Sequence, residues 1–468
     1  MKLPNEYISR MKELLGNEAE EYFSVLDAEP ARALRLNRIK LSGNLPNTEE
    51  VRFTPSGINS EIFLFDGPAG GRNPLHHAGA YYIQELSAML PVLSAPVKRG
   101  WKILDLCAAP GGKTGQLAEA VGDRGFVAAN EYSPKRAKAL LGNVERMGYK
   151  NCAVYSSSPD KLCPAFGGIF DLVLVDAPCS GEGMFRREPE AVASWSAENS
   201  AGCALRQLEI LRYAADCVKP GGYLLYSTCT FSAIEDEELL IRFLRENPHF
   251  SLTPLNPPQN LELSHGIQTD EYRTELCLRA YPHKIKGEGQ FFGLMQRDSS
   301  QVSYHTESYS RKQNRVKKES NLKSRALTDK EIRSAQTFLT DFFGGITEFP
   351  LRAVGGDIFI PASDTVIPES GLLADGVRLG RVAADGRFIP HHHFFSAYGG
   401  SAALRLELAP DSPLITRYLH GESFPASDAG FDENASGWGA VTVCGCAVGG
   451  FRLAGGYVKN HYPKGLRN

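Results

Sequence analysis

Between residues 101 and 297 short apolar runs alternate with stretches of helical periodicity. Lys102–Ala108, Gly125–Asn130, Cys152–Ser156, Phe170–Asp176 and Tyr223–Ser227 read as buried strands. Between the second and third, Ala137, Leu140, Leu141, Val144 and Met147 recur at helical spacing. Ser133 stands where an N-cap belongs, Pro134 at the first helical position, and Gly148 closes the helix. A second helix carries Leu205, Leu208, Leu211, Ala215 and Val218 and stops at Pro220-Gly221-Gly222. The acidic run Glu235–Glu238 favours a third helix N-terminus. Strand–helix alternation of this kind predicts a doubly wound parallel sheet. Cys277–Tyr281 and Gln290–Arg297 are expected to add antiparallel edge strands.

Either side of this core the pattern changes. Residues 1–100 mix a helical stretch (Glu6 to Phe23), a strand at Ala33–Asn37 and a segment from Gly79 to Leu90 that leads into a helix. Residues 298–326 read as a linker, Ser-rich and then basic, with seven Lys/Arg against one Glu in 311–325. Residues 327–395 form an intermediate domain. Residues 396–468, rich in Gly and short apolar runs, read as a small β-rich domain.

The 468 residues therefore exceed one ordinary domain. With 42% hydrophobic and 22% charged residues, the composition excludes a disordered chain, a collagen-like fibre and a small disulfide scaffold. A net charge of −3 means that any anionic partner must be held by local basic patches. The N-terminal residues are too polar for a signal peptide, and no apolar run reaches the roughly 18 residues a membrane span needs. The ten cysteines fit reduced thiols in a cytoplasmic protein.

Ile103-Leu-Asp-Leu-Cys-Ala-Ala-Pro-Gly-Gly-Lys-Thr114 runs an apolar strand into a turn of small residues and then a helix. Small residues let a ligand approach the backbone, and the carboxyl edge of a first strand is where open α/β folds bind. Cys107 replaces the first Gly of G-x-x-x-x-G-K-[ST], and G-x-G-x-x-G is absent, so neither a P-loop nor a dinucleotide fingerprint fits. Glu131, eighteen residues beyond Lys113, ends the next strand where a carboxylate can hold ribose hydroxyls. The expected ligand is an adenosine-bearing cofactor without pyrophosphate.

Two further strand ends carry thiols. Asp176 and Cys179 follow one buried strand and Cys229 follows the next, each in a polar turn. Buried structural cysteines are the ordinary case, and we assign Cys152, Cys163, Cys203, Cys217 and Cys277 to it. Cys444-Gly-Cys446, in a predicted strand, is also structural, and no C-x-x-C spacing points to metal. Two thiols and a carboxylate beside such a cofactor suit methylation at C5 of a pyrimidine. A thiolate adding at C6 makes C5 nucleophilic toward a sulfonium methyl, and a second group then assists release. Asp176 is placed to support the addition near N3 of cytosine.

Asp105-Leu-Cys-Ala-Ala-Pro-Gly-Gly-Lys-Thr114, with Asp176-Ala-Pro-Cys179 and Ser227-Thr-Cys229, resembles the Sun-type RNA cytosine-C5 methyltransferases. Pro178-Cys-Ser-Gly-Glu-Gly-Met-Phe-Arg186, Tyr82-Ile-Gln-Glu-Leu-Ser-Ala-Met89 and Lys459-Asn-His-Tyr-Pro-Lys-Gly-Leu-Arg467 are similar to the RsmF-like ribosomal RNA branch. The resemblance implies a Rossmann-like core that depends on S-adenosylmethionine, an α+β N-terminal RNA-binding module and a PUA-like C-terminal domain. It implies Cys107, Ala108, Ala109, Pro110, Gly111, Gly112 and Lys113 around the cofactor's methionine end, Glu131 at its ribose and Asp176 near the methyl group. It makes Cys229 the nucleophile and Cys179 the residue that assists release. The family's acidic residue toward adenine aligns with Ser158, with Asp160 two residues on. The implied product is 5-methylcytosine in small-subunit ribosomal RNA, made by a monomer without metal or membrane. Transfer RNA as substrate, or a non-catalytic ribosome-assembly factor, are the alternatives.

For RNA contact, Arg35 and Asn37 on the N-terminal strand are candidates. Arg186 and Arg187 read as ordinary surface. The run Arg452–Arg467 holds four Lys/Arg, no acid and two Tyr, which suits unstacked bases. His391-His392-His393 reads as surface or domain-packing text rather than a metal site.

Overall fold

The computed structural model describes residues 3–43, 45–46, 51–68, 70–71, 73–300 and 324–467. Most of the expected linker, 301–323, lies outside the described residues.

Two helices, Asn5–Leu15 and Ala19–Val25, precede a four-stranded antiparallel sheet of β1 (Ala33–Leu36), β2 (Arg52–Pro55), β3 (Ile62–Asp66) and β4 (Tyr81–Ile83), in the order β2-β3-β1-β4. The Gly79–Leu90 segment does lead into a helix, Leu86–Ser94, capped by the Glu85 carboxylate.

The core follows the alternation read from the chain. β5 (Lys102–Asp105), β6 (Phe126–Asn130), β7 (Cys152–Tyr155), β8 (Phe170–Asp176) and β9 (Val218–Thr228) lie parallel, in the order β9-β8-β5-β6-β7. Their side chains are almost wholly buried on both faces, as a parallel sheet covered by helices requires. The helix Pro134–Met147 ends at Gly148 in the left-handed region, but Ser133 does not cap it with its hydroxyl. Its amide donates instead to Glu131 at 2.8 Å. β10 (Phe250–Thr253), β11 (Ser264–His265), β12 (Leu278–Ala280) and β13 (Gln290–Arg297) are antiparallel additions. β13 is not an edge strand: it lies inside the sheet, between β9 and β12. At the other margin Leu372–Asp375, from the expected intermediate domain, pairs antiparallel with β7.

Two further five-stranded sheets follow. The first packs against helix Asp329–Phe343, which opens on a capping box of Thr328 and Glu331. The second contains Leu404–Leu408, Phe424–Pro425, Gly437–Val443, Cys446–Ala454 and Tyr457–Asn460. Cys444 and Gly445 are not in a strand: they turn the hairpin, with Cys444 at φ 51°. One apolar cluster joins Leu34, Phe53 and Tyr81 of the first sheet to Val448 and Val458 of the last and to Tyr418 on the helix Pro413–Leu419. The 395/396 boundary falls inside helix His392–Tyr398, whose Phe394 and Phe395 pack on Phe338 and Phe342. No described helix is long and apolar enough to cross a membrane.

Candidate active site

The strand order reverses at β5, between β8 and β6, so the carboxyl ends of β5 and β8 open on one crevice. The crevice is a cavity of about 1030 Å³. Cys107, Ala108, Ala109, Pro110, Gly112, Lys113, Glu131, Ser158, Asp160, Asp176, Cys179 and Cys229 all line it. Gly111 turns the chain into the helix Gly112–Val121 at φ 113°, a conformation L side chains rarely adopt. At Gly112 a Cβ would stand 2.9 Å from the Gln84 carboxamide. A side chain at Gly112 would therefore press on the cradle. Gly111 is not on the cavity lining: a Cβ there would meet Leu140 at 3.2 Å, and its part is to turn the chain.

The carboxylates of the crevice differ in state. Asp105 is fully buried and takes a 2.6 Å hydrogen bond from Thr114, yet burial pushes its carboxyl up to about 7. Glu131, 4% exposed, pairs with Arg136 at 3.2 Å and accepts the Ser133 amide. Asp176 pairs with Lys113 at 2.8 Å, takes the Ser227 hydroxyl at 2.6 Å and faces the Gln290 amide nitrogen at 3.4 Å. Ser158 precedes helix Pro159–Phe166, with Asp160 in its first turn, so both residues meet the cavity at that helix start.

The two thiols lie 3.3 Å apart, sulfur to sulfur. Their loops are stitched to one another. The Ser180 amide donates to Glu235 at 3.0 Å, and the Phe231 amide donates to Glu182 at 3.1 Å. Ser180 and Thr230 share a 2.7 Å hydroxyl contact, and the Gly183 amide donates to the Cys229 carbonyl at 2.9 Å. The hydrogen bond to Cys229, and then burial, hold the Cys179 thiol well above its ordinary range.

The N-terminal candidates for RNA are corrected by the structure. Arg35 is buried in an ion pair with Glu119, and Asn37 donates to the carbonyls of Gly79 and Met147 at 2.9 and 2.8 Å. Both hold the first module against the core. Arg186 and Arg187 are bound to Glu288 at 2.7 and 2.8 Å. In the C-terminal run, Tyr462 is buried on His77, while Tyr457 is exposed beneath the Lys459 ammonium. Trp438, Arg452 and Lys459 are register neighbours on three adjacent strands and make a basic, aromatic strip. Gln290, and Tyr82, Gln84 and Glu85 from the first module, line the cavity without having been singled out from the sequence as site residues. The string from Tyr82 to Met89 marked a resemblance, but its spacing carried no chemistry.

Residues 92–296 match the family described as 16S rRNA methyltransferase RsmB/F. Residues 3–86 match the N-terminal domain of 16S rRNA methyltransferase RsmF, and 405–468 the methyltransferase RsmF PUA domain. A ribosomal RNA small subunit methyltransferase F from Erwinia tasmaniensis is 33% identical over 311 residues, 64% of each chain. One of the same name from Salmonella heidelberg is 36% identical over 251 residues, 51% of this chain and 52% of its own. The matched stretch thus spans between about half and two-thirds of these relatives. A solved methyltransferase homolog protein from Pyrococcus horikoshii superposes with a TM-score of 0.52 at 25% identity, over 62% of this chain and 93% of its own.

Proposed function

The chain belongs to the RsmB/F methyltransferase family, and from that premise we propose that it methylates C5 of a cytosine in small-subunit ribosomal RNA, in the cytoplasm, with S-adenosylmethionine as donor. The observation that carries this reading is the 3.3 Å thiol pair beside Asp176 on the cavity of the glycine turn.

The cavity fits the donor. Its floor from Cys107 to Gly112 has side chains no larger than Pro, Lys113 and Glu131 supply charge and hydrogen bonds, and a Cβ at Gly112 would intrude. Residues 107–113 would hold the methionine end, Glu131 the ribose, and Ser158 or Asp160 the adenine. The bound cofactor supplies an electrophilic methyl group. The Cys229 thiolate adds to C6 of the base, which makes C5 the nucleophile. Asp176, oriented by Lys113 and Ser227, meets the N3 side and supports the addition by accepting a hydrogen bond from the exocyclic amine, which holds C6 toward the thiolate. After transfer solvent water takes the C5 proton, the C–H electron pair reforms the C5–C6 double bond, and the C6–S bond breaks with its electron pair on the Cys229 sulfur. Cys179, whose thiol keeps its proton at neutral pH, stands within reach of the departing Cys229 sulfur and assists its release. The strip of Trp438, Arg452 and Lys459 supplies an RNA-binding face away from the cavity.

Bisulfite sequencing of ribosomal RNA from a strain lacking the protein tests the reading. One cytosine of the small-subunit RNA should become convertible and regain protection with the intact gene. An unchanged pattern there, with a newly unprotected cytosine in transfer RNA, would move the substrate to the other class.

A further inference from the structure

We propose that Gln290 contacts the target base and helps select cytosine over uracil by accepting a hydrogen bond from the exocyclic amine, an inference that rests on the reading above.

Gln290 opens β13, which pairs antiparallel with β9. The register sets Phe291 opposite Thr228, so Gln290 stands opposite Cys229. The residue is 2% exposed yet lines the cavity with Asp176, Cys179 and Cys229. Its Nε2 faces Asp176 Oδ1 at 3.4 Å. An ionised carboxylate accepts and never donates, so the amide nitrogen must be the atom turned toward Asp176. That fixes the other end: Oε1 points away from Asp176, accepts no hydrogen bond among the described residues and is not sealed from solvent. An acceptor open on the cavity is free to take a donor from a base bound there.

The backbone beneath Gln290 is held firmly. Glu288 is bound by Arg186 and Arg187, and its amide donates to Glu85 at 2.9 Å. At Gly289 any Cβ would stand 2.3 Å from the Phe231 ring and 3.0 Å from Gly183. A carboxamide on so fixed a strand is pre-organised for recognition. The cytosine amine carries two hydrogens, enough for Asp176 and Gln290 together. Uracil would present a carbonyl oxygen to the same two acceptors and leave all three without donors. Sites built this way reject the wrong analogue far more strongly than apolar pockets do.

The test uses the full chain with transcribed small-subunit ribosomal RNA, naked and reconstituted into subunits, and a second RNA with pyrimidin-2-one, which lacks the amine, at the methylated position. Gln290→Leu should lower kcat/KM on the cytosine RNA about tenfold or more while KM for S-adenosylmethionine stays unchanged. On the pyrimidin-2-one RNA the variant should stay within about twofold of the unmodified chain, because the contact it lost is absent there already. Equal losses on both RNAs would make Gln290 a packing residue and overturn the proposal, as would full activity on both. If the unmodified chain methylates neither RNA form, the functional reading itself falls, and this inference with it.

Discussion

Cys179 and Cys229 meet sulfur to sulfur on one cavity. The hydrogen bond between them, and the burial of Cys179, favour the protonated form of Cys179. A thiol that keeps its proton is a poor nucleophile and a usable proton donor, which supports the division of labour proposed here. Cys229→Ala should lower turnover by about 10³-fold or more and give no RNA–protein adduct, while leaving S-adenosylmethionine binding intact by calorimetry. Cys179→Ala should still attack but release slowly, leaving an adduct visible as a slow band on a denaturing gel. An adduct in the first variant and none in the second would exchange the two roles. Asp176 and both cysteines were legible in the sequence because each follows an unmistakable buried strand in a polar turn. Gln290 was not, because it sits among apolar β residues. Its place opposite Cys229 comes from an antiparallel pairing with a strand more than sixty residues away in the chain.

At the scale of the element, the two cysteine loops are held by carboxylates that pattern reading assigned to another task. The run Glu235–Glu238 was expected to complement a helix dipole. A helix does begin at Glu237, yet Glu235, Asp236 and Glu237 are all buried. Glu235 takes the Ser180 amide and the Gln207 carboxamide, Asp236 takes the Thr228 hydroxyl, and Glu237 pairs with the buried Arg279. Spacing alone cannot separate a solvated acidic turn from a buried ion network. Across the gap, Glu182 gathers the Phe231 amide, the Trp195 indole and the Arg10 guanidinium of the first helix. Arg10 therefore ties the N-terminal module to the loop of Cys179. Arg10→Met leaves the Glu182 carboxylate buried with neutral donors alone, and should cost about 1–3 kcal/mol in urea unfolding. Turnover should fall with it, more than cofactor affinity does. Unchanged stability would show that the arginine contributes little to the stitch.

At the scale of the whole molecule, all five parallel strands fall where continuous apolar runs place them, because strands buried on both faces leave such runs. Their ends differ: β9 starts at Val218 and runs through Pro220–Gly222, where a helix end is expected, and β5 stops at Asp105. The joints between modules were not legible in this way, because they are made of contacts far apart in sequence. The first and last sheets share one apolar cluster, so a chain cut after residue 395 would lose half of that core and would split the helix His392–Tyr398. Substituting Arg452 and Lys459 is the cleaner probe of RNA binding. The three histidines read as packing text lie at this joint, and burial pushes His391, His392 and His393 down to about 3. His393 is held neutral by geometry as well, because its Nδ1 accepts the Arg378 amide; the Tyr149 carbonyl, 3.2 Å from Nε2, pulls the other way but does not outweigh burial. The sign of the linkage follows. Above an unfolded pKa of about 6.5 the folded and unfolded states are both neutral at these positions, and the joint has its full stability. As pH falls from about 6.5 toward 3, the unfolded chain takes up protons that the folded joint refuses. Each histidine then removes about 1.4 kcal/mol per pH unit. Buried carboxylates such as Asp105 and Glu145, pushed up to about 7, take up protons in the folded state over the same range and act in the opposite sense. The histidine contribution is therefore read from about pH 6.5 to 5 as the difference between the intact chain and its histidine variants. The histidines' share should make urea midpoints fall across that range in the intact chain. The fall should be shallower in His392→Gln and His393→Asn, the latter keeping an acceptor where Nδ1 stands. A slope unchanged by both substitutions would mean that the joint takes up protons without unfolding, and that the three histidines do not set its acid limit.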